Sequence, residues 1–197
     1  MSSMLTAMPQ LIPQSLLNLA YVNKWKVYAE KYLAKGTISP VEMPGTKYPL
    51  YHIKKSAVSG VWVISLDGKT VDYIYAYSSF RLKGKHKASE ALAYLFNPQV
   101  RGVTKEVFFD FLLPELTFVV TDSVYTPDGH KWFQAEYNWA FARGFNVYAL
   151  DLTKKVELVQ IDKEAFYKLQ PLYWGKDKIH QKYRFAIELP SAPTEVV

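Results

Sequence analysis

Two groups of residues in this chain have types and spacing suited to chemistry. Asp122, Ser123 and His130 flank a polar stretch punctuated by Pro127 and Gly129. A carboxylate and an imidazole in one loop can orient a substrate or serve as base and acid, and α/β folds keep ligands in loops at the C-terminal ends of strands. The same residues suit a plainer role, in which Asp122 and Ser123 satisfy loop backbone and His130 sits on a first helical turn. The second group is Gln99, Val100, Arg101, Gly102, Val103 and Thr104. A glycine turn that enters a helix presents unpaired backbone N–H groups at the positive end of that helix, an arrangement that suits a phosphate. It is also what an ordinary strand-to-helix turn looks like. The four histidines, His52, His86, His130 and His180, have no partner at metal-ligand spacing, so no metal site is expected.

The elements that must hold the glycine turn can be read on either side of it. Residues 91–96 are a short apolar run closed by Asn97-Pro98, which predicts a buried strand ending in a turn. Val103, Val107, Phe108, Phe111 and Leu112 then recur at helical spacing, with Lys105, Glu106 and Asp110 on the other face. This predicts a helix starting near Thr104 and stopped by Pro114. Residues 117–121 form another strand pattern. The unit is strand, glycine turn, helix, strand.

Residues 88–122 resemble the GNAT acyltransferase superfamily, whose pyrophosphate loop is written Gln/Arg-x-x-Gly-x-Gly/Ala after the fourth strand. Gln99, Gly102 and Thr104 occupy the three defined places, with Thr replacing the final small residue. The resemblance extends over about residues 50–190 and implies an α/β fold. That fold is a central twisted, mostly antiparallel sheet with a parallel pair, formed here by residues 91–96 and 117–121, and helices on both faces. It implies acetyl-CoA or another acyl-CoA as co-substrate, cradled by residues 99–104, and it places Glu90 near the position of the base glutamate in several members. Gly144-Phe145 is similar to the Gly-Phe that follows the fourth helix of the family, but Ala140 stands where many members carry a tyrosine four residues earlier. Tyr137 and Tyr148 lie nearby and are more simply read as core or interface aromatics.

The rest of the chain supplies the frame. Residues 1–13 carry no period and read as a loose arm, 14–189 as a single domain and 190–197 as a tail. Residues 14–35 are helical in pattern, with Leu17, Tyr21, Trp25, Tyr28 and Tyr32 near one stripe and Gly36 as the stop. Residues 50–53 and 60–66 read as strands. Asp67-Gly68 signals a tight type I′ hairpin, and Val71, Tyr73, Tyr75 and Tyr77 alternate with Asp72, Ile74, Ala76 and Ser78 on a returning strand with one aromatic face. Thr126 and Pro127 open a helix whose face is Trp132, Ala135, Trp139 and Ala142. Strands at 146–150, 156–161 and 183–189, with a short helix after Asp162, complete the sheet.

Composition narrows the function classes. A chain of 197 residues that is 49% hydrophobic and 16% aromatic can bury a sizeable core. It has no cysteine, which excludes disulfides, thiolate metal sites and a cysteine nucleophile, and fits a cytoplasmic setting. No signal peptide and no membrane-length apolar run is found. The net charge of +6 permits an acidic partner, and the densest basic cluster is Arg81, Lys83, Lys85, His86 and Lys87. Three functions remain open. One is a CoA-dependent N-acyltransferase acting on a small-molecule or protein amine. Another is a phage-type DNA-modification or DNA-binding protein on the same fold, contacting nucleic acid through Arg81, Lys83, Lys85 and Lys87; residues 122–144 are loosely similar to Mom-type proteins. The third is a non-catalytic interaction domain.

Overall fold

The computed structural model describes residues 10–11, 19–57, 59–81, 87–121, 124–125, 127–153, 157–173 and 182–190. Its strands are β1 (Gln10–Leu11), β2 (Leu50–Ser56), β3 (Ser59–Ile64), β4 (Tyr73–Arg81), β5 (Lys87–Leu95), β6 (Phe118–Val120), β7 (Val124–Tyr125), β8 (Asn146–Asp151), β9 (Glu157–Ile161) and β10 (Tyr183–Glu188). Eight of them form a sheet in the order β2-β3-β4-β5-β6-β10-β8-β9. The architecture is the expected mixed α/β one, an open sheet, mostly antiparallel with one parallel pair, together with helices. Two residues of the expected loose arm, β1, instead pair in parallel with β7. The chain divides into two compact units. One comprises Asn18–Phe80 and Ser89–Leu116, and the other comprises Met1–Leu17, Arg81–Ala88 and Thr117–Val197.

In the first of these, the two-residue period of the strands sorts side chains onto two faces. Ile53, Val61, Val63, Ile74 and Ala76 face α1 (Leu19–Leu33) and pack on its Trp25, Ala29 and Leu33. The buried face of α1 is Val22, Trp25, Ala29 and Leu33, whereas Tyr21 is 44% exposed. Of the expected stripe, Trp25 is buried and Tyr28 and Tyr32 pack half-buried against the same core, Tyr21 turns outward, and Leu17 lies outside the described residues. The reason lies in the phenols, which prefer a rim where the hydroxyl finds a polar partner, as Tyr28 does by donating to Lys54 O at 3.3 Å. Gly36, at φ +62, ends the helix as expected.

The opposite face carries His52, Trp62, Tyr73, Tyr75 and Tyr77, in agreement with the aromatic alternation in the sequence. It is covered by a continuous helical rod built from α2 (Thr104–Glu106), a π-helical turn (Val107–Leu112) and α3 (Leu113–Leu116). Phe111 lies 5.4 Å from Trp62 and Phe108 lies 5.9 Å from Tyr75, ring centre to ring centre. Pro114 does not stop this rod. The π turn before it widens the backbone, which relieves the clash a proline ring makes with the carbonyl one turn earlier.

The Asp67-Gly68 hairpin also differs from expectation. The last β3–β4 pair is Ile64 with Tyr73, so residues 65–72 form a long connection and not a two-residue turn. Asp67 organises it by accepting from Lys69 N at 2.8 Å, Thr70 N at 2.7 Å, Thr70 Oγ1 at 2.9 Å and Ser65 Oγ at 3.1 Å. Four donors hold its carboxyl well below the usual carboxylate range, backbone bonds first. An Asx loop of this kind competes successfully with the tight turn.

In the second unit, α4 (Pro127–Ala142) and α5 (Lys163–Tyr173) pack around an aromatic centre of Phe133, Tyr137, Phe166 and Phe185. Strand β10 pairs antiparallel with both β6 and β8. The buried positions of α4 are Phe133, Glu136, Tyr137 and Ala140, not the expected Trp132, Ala135, Trp139 and Ala142. Trp139 instead lies at the rim, stacked near Phe145 and 3.7 Å beneath the Arg143 guanidinium. Because aromatics occur all round this helix, periodicity alone did not select its face. Gly144, at φ +75, closes α4 with Phe145 N donating to Ala140 O and Gly144 N to Phe141 O, the two bonds of a Schellman motif. Asp162 caps α5 by accepting from Ala165 N at 2.7 Å.

Candidate functional site

The Gly102 turn joins β5 to the rod, and a short chain of polar contacts builds it. Asp72 is 8% exposed. Its backbone oxygen accepts from Phe96 N and Asn97 N, and its carboxylate accepts from Asn97 Nδ2 at 2.8 Å and Leu66 N at 2.7 Å. Asn97, so fixed, accepts from Gln99 N at 3.0 Å through its side chain and from Val100 N at 3.1 Å through its backbone. Tyr48 Oη donates to Gln99 O at 3.0 Å, and Arg101 Nε donates to Pro98 O at 2.7 Å. Val100 and Val103 point inward and are buried, while Gln99, Arg101 and Gly102 are exposed.

Gly102 has φ +73, a conformation that a side chain at this position would strain. A Cβ placed there would meet nothing within 4 Å, so the glycine backbone borders open space. Thr104 opens the rod, and Val103 caps it without a side-chain hydrogen bond. The helical ladder begins with Val107 N donating to Val103 O at 2.9 Å, so the first-turn N–H groups of the rod precede the ladder and run along its axis toward the turn. Arg101, exposed on the turn itself, adds a cation to the same segment. Glu106 sits in the same first turn and opposes an anion, and Lys105 Nζ stands 3.9 Å from its carboxylate. The backbone geometry and the open approach fit a phosphate or pyrophosphate group.

Glu90 lies on β5, half-buried, in the same compact unit as the turn. Leu95 lies five residue steps further along the strand, about 16 Å at the rise of an extended chain. His130 lies on the first turn of α4 in the other unit, and burial lowers its imidazole pKa. Asp122 and Ser123 lie outside the described residues, so the expected trio with His130 is not assembled from them here. Lys83 and Lys85 likewise lie outside, and Arg81 and Lys87 are described in their strand backbone only. Among the described residues no group of three metal-ligating side chains could hold an ion. Tyr137 is a buried core aromatic, and the Tyr148 hydroxyl donates to Glu188 Oε2 at 2.6 Å, with burial pushing its pKa up to about 12.

One polar constellation escaped sequence analysis. On the aromatic face of the first unit, Glu115 near the end of the rod accepts from Lys54 Nζ at 2.7 Å and Tyr77 Oη at 3.4 Å, and His52 Nε2 stands 3.2 Å from its other carboxylate oxygen. His52 Nε2 and Tyr77 Oη are 2.9 Å apart, and the His52 ring stacks on Trp62 at 4.0 Å and 7°. Burial lowers the His52 pKa, the Glu115 carboxylate opposes that shift, and Lys54 reinforces it. Burial and Glu115 together hold the Tyr77 phenol far above its ordinary value. The four residues come from β2, β4 and α3, and no local spacing links them. The signal available was His52 set between the apolar Tyr51 and Ile53 of β2, opposite Trp62.

No protein-family model matches the sequence, and no curated protein matches it. Among solved structures the fold is similar to the aminoglycoside N(6')-acetyltransferase from Legionella pneumophila subsp. pneumophila str. Philadelphia 1. The identity is 10% and the TM-score 0.36, over 93% of this chain and 93% of that one.

Proposed function

We propose that this protein is an acyl-CoA-dependent N-acyltransferase of the GNAT type, acting on a small-molecule or protein amine. The observation that carries the proposal is the Gly102 turn: a positive-φ glycine bordering open space, anchored by Val100 and Val103, at the uncapped start of a helical rod. Backbone N–H groups of residues 102–104 and the Arg101 side chain would hold the pyrophosphate of acetyl-CoA or a close relative. Its extended arm would run back along β5 toward Glu90. There the acceptor nitrogen adds to the thioester carbonyl, the C–S bond breaks and the thiolate departs. Glu90 takes the proton that the nitrogen loses. The missing tyrosine at Ala140 leaves the thiolate to be protonated by solvent or by another group of this chain.

The absence of cysteine makes a direct test convenient, since thiol released from an acyl-CoA can be followed without protein background. Acetyl-CoA is incubated with a panel of amines, and thiol release above the enzyme-free rate is the expected outcome. Glu90→Gln should lower kcat by about a hundredfold, within the range for losing a general base, while leaving CoA affinity near wild type. Equal rates for wild type and Glu90→Gln would remove Glu90 from the mechanism. No release with any amine, together with no CoA binding, would remove the acyltransferase.

A further inference from the structure

The rod over residues 104–116 is held differently at its two ends. Its start is fixed by the burial of Val100 and Val103 and has no side-chain cap. Its middle rests on the aromatic sheet face through Phe108 and Phe111. Apolar contact of this kind is non-directional, so by itself it specifies rotation and slip only weakly. The far end differs in kind. There one half-buried carboxylate, Glu115, accepts from Lys54 on β2 at 2.7 Å and from Tyr77 on β4 at 3.4 Å, and His52 on β2, bonded to Tyr77 Oη at 2.9 Å, stands 3.2 Å from it. Charge-assisted bonds of defined direction select one register where hydrophobic burial would accept several.

The sheet makes room for this arrangement. A Cβ on Gly60 would lie 2.6 Å from Tyr77 Oη, 2.9 Å from Tyr77 Cζ and 3.0 Å from Ile53 O. Gly60 has no positive φ, so this glycine serves close approach and not a turn. The tyrosine can therefore lie flat against β3 and deliver its hydroxyl to the rod. With the imidazole neutral, one consistent assignment has His52 Nε2–H donating to Tyr77 Oη at 2.9 Å and Tyr77 Oη–H donating to Glu115 Oε1 at 3.4 Å.

We propose that Glu115, His52 and Tyr77 form a register clasp. They are positioning residues that fix the rod at one end and thereby set where the Gly102 turn at the other end presents its N–H groups. The inference deepens the acyl-CoA proposal and rests on it for the identity of the ligand. The three helical pieces follow one another without a break, so a slip at Glu115 is transmitted to Val103.

The test is amide hydrogen exchange at Val100 and Val107, whose bonds to Asn97 O and Val103 O close the turn, combined with CoA titration. Wild type is compared with Glu115→Ala, Glu115→Gln and Lys168→Ala, the last removing an exposed ion pair on α5 as a control. In Glu115→Ala, exchange at Val100 and Val107 should rise about tenfold or more, since each lost bond to a charged group shifts local opening by that order. Glu115→Gln still accepts from Tyr77 and should restore part of the protection, while Lys168→Ala should change nothing. The Kd for CoA should weaken in the same order. If Glu115→Ala does not fold, Tyr77→Phe deletes one donor and should show the same change at smaller size. Faster exchange confined to residues 113–116, with Val100 and Val107 as in wild type, overturns the clasp. Should wild type bind no CoA while Val100 and Val107 respond as described, the clasp stands and the acyl-CoA proposal falls.

Discussion

At the scale of single residues, two titratable groups, one buried and one half-buried, set opposite trends in stability with pH. Glu136 is fully buried on the core face of α4, and desolvation raises its pKa well above the ordinary 4.5. The folded state therefore keeps a proton that the unfolded state loses, so this group's contribution falls as pH rises above 4.5 toward the folded value. Glu136→Gln removes that slope. In urea unfolding the variant should gain steadily on wild type as pH rises above 4.5. A constant difference across that range would mean the carboxyl is not protonated in the folded state. His52 acts the other way. Its folded pKa lies below the ordinary 6.5, so its contribution is present above 6.5 and is lost as pH falls toward the folded value. His52→Gln should flatten the acid limb of the stability profile, and an unchanged acid limb would assign that limb to other groups such as His130, which is shifted in the same direction.

At the scale of elements, what could be read in the sequence depended on how local its cause was. The alternation of Tyr73, Tyr75 and Tyr77, the glycine turn at Gly102 and the stops at Gly36 and Gly144 rest on neighbouring residues, and each is where it was expected. The face of α4 was misplaced, and that of α1 only in part, because tyrosines and tryptophans flank both faces, and which ring is buried depends on where its polar end finds a partner. The Pro114 stop failed because a π turn precedes it. The Glu115 constellation joins residues 25, 38 and 61 to 63 positions apart, beyond any spacing rule. The fit of Gly60 to Tyr77 can be tested as a pair. Gly60→Ala should destabilise by about 1–3 kcal/mol through overpacking. In a Tyr77→Phe background, where the atom 2.6 Å away is gone, part of that loss should be recovered. Strict additivity of the two changes would show that the hydroxyl is not what requires the glycine.

At the scale of the whole molecule, one element order, strand, glycine turn, rod and strand, is carried on a mixed α/β sheet. Among the described residues no helix is long and apolar enough to cross a membrane. The central claim is that the backbone at Gly102 receives the pyrophosphate of an acyl-CoA, and it predicts a specific sensitivity. An aspartate there adds bulk and a like charge where the anion must approach, and it also strains a position at φ +73. The most direct measurement is calorimetric titration of CoA into wild type and into Gly102→Asp, with circular dichroism confirming that both are folded. Saturable binding by wild type and its loss in Gly102→Asp is the predicted result. No binding by wild type at millimolar CoA, or equal binding by a folded Gly102→Asp, would contradict it.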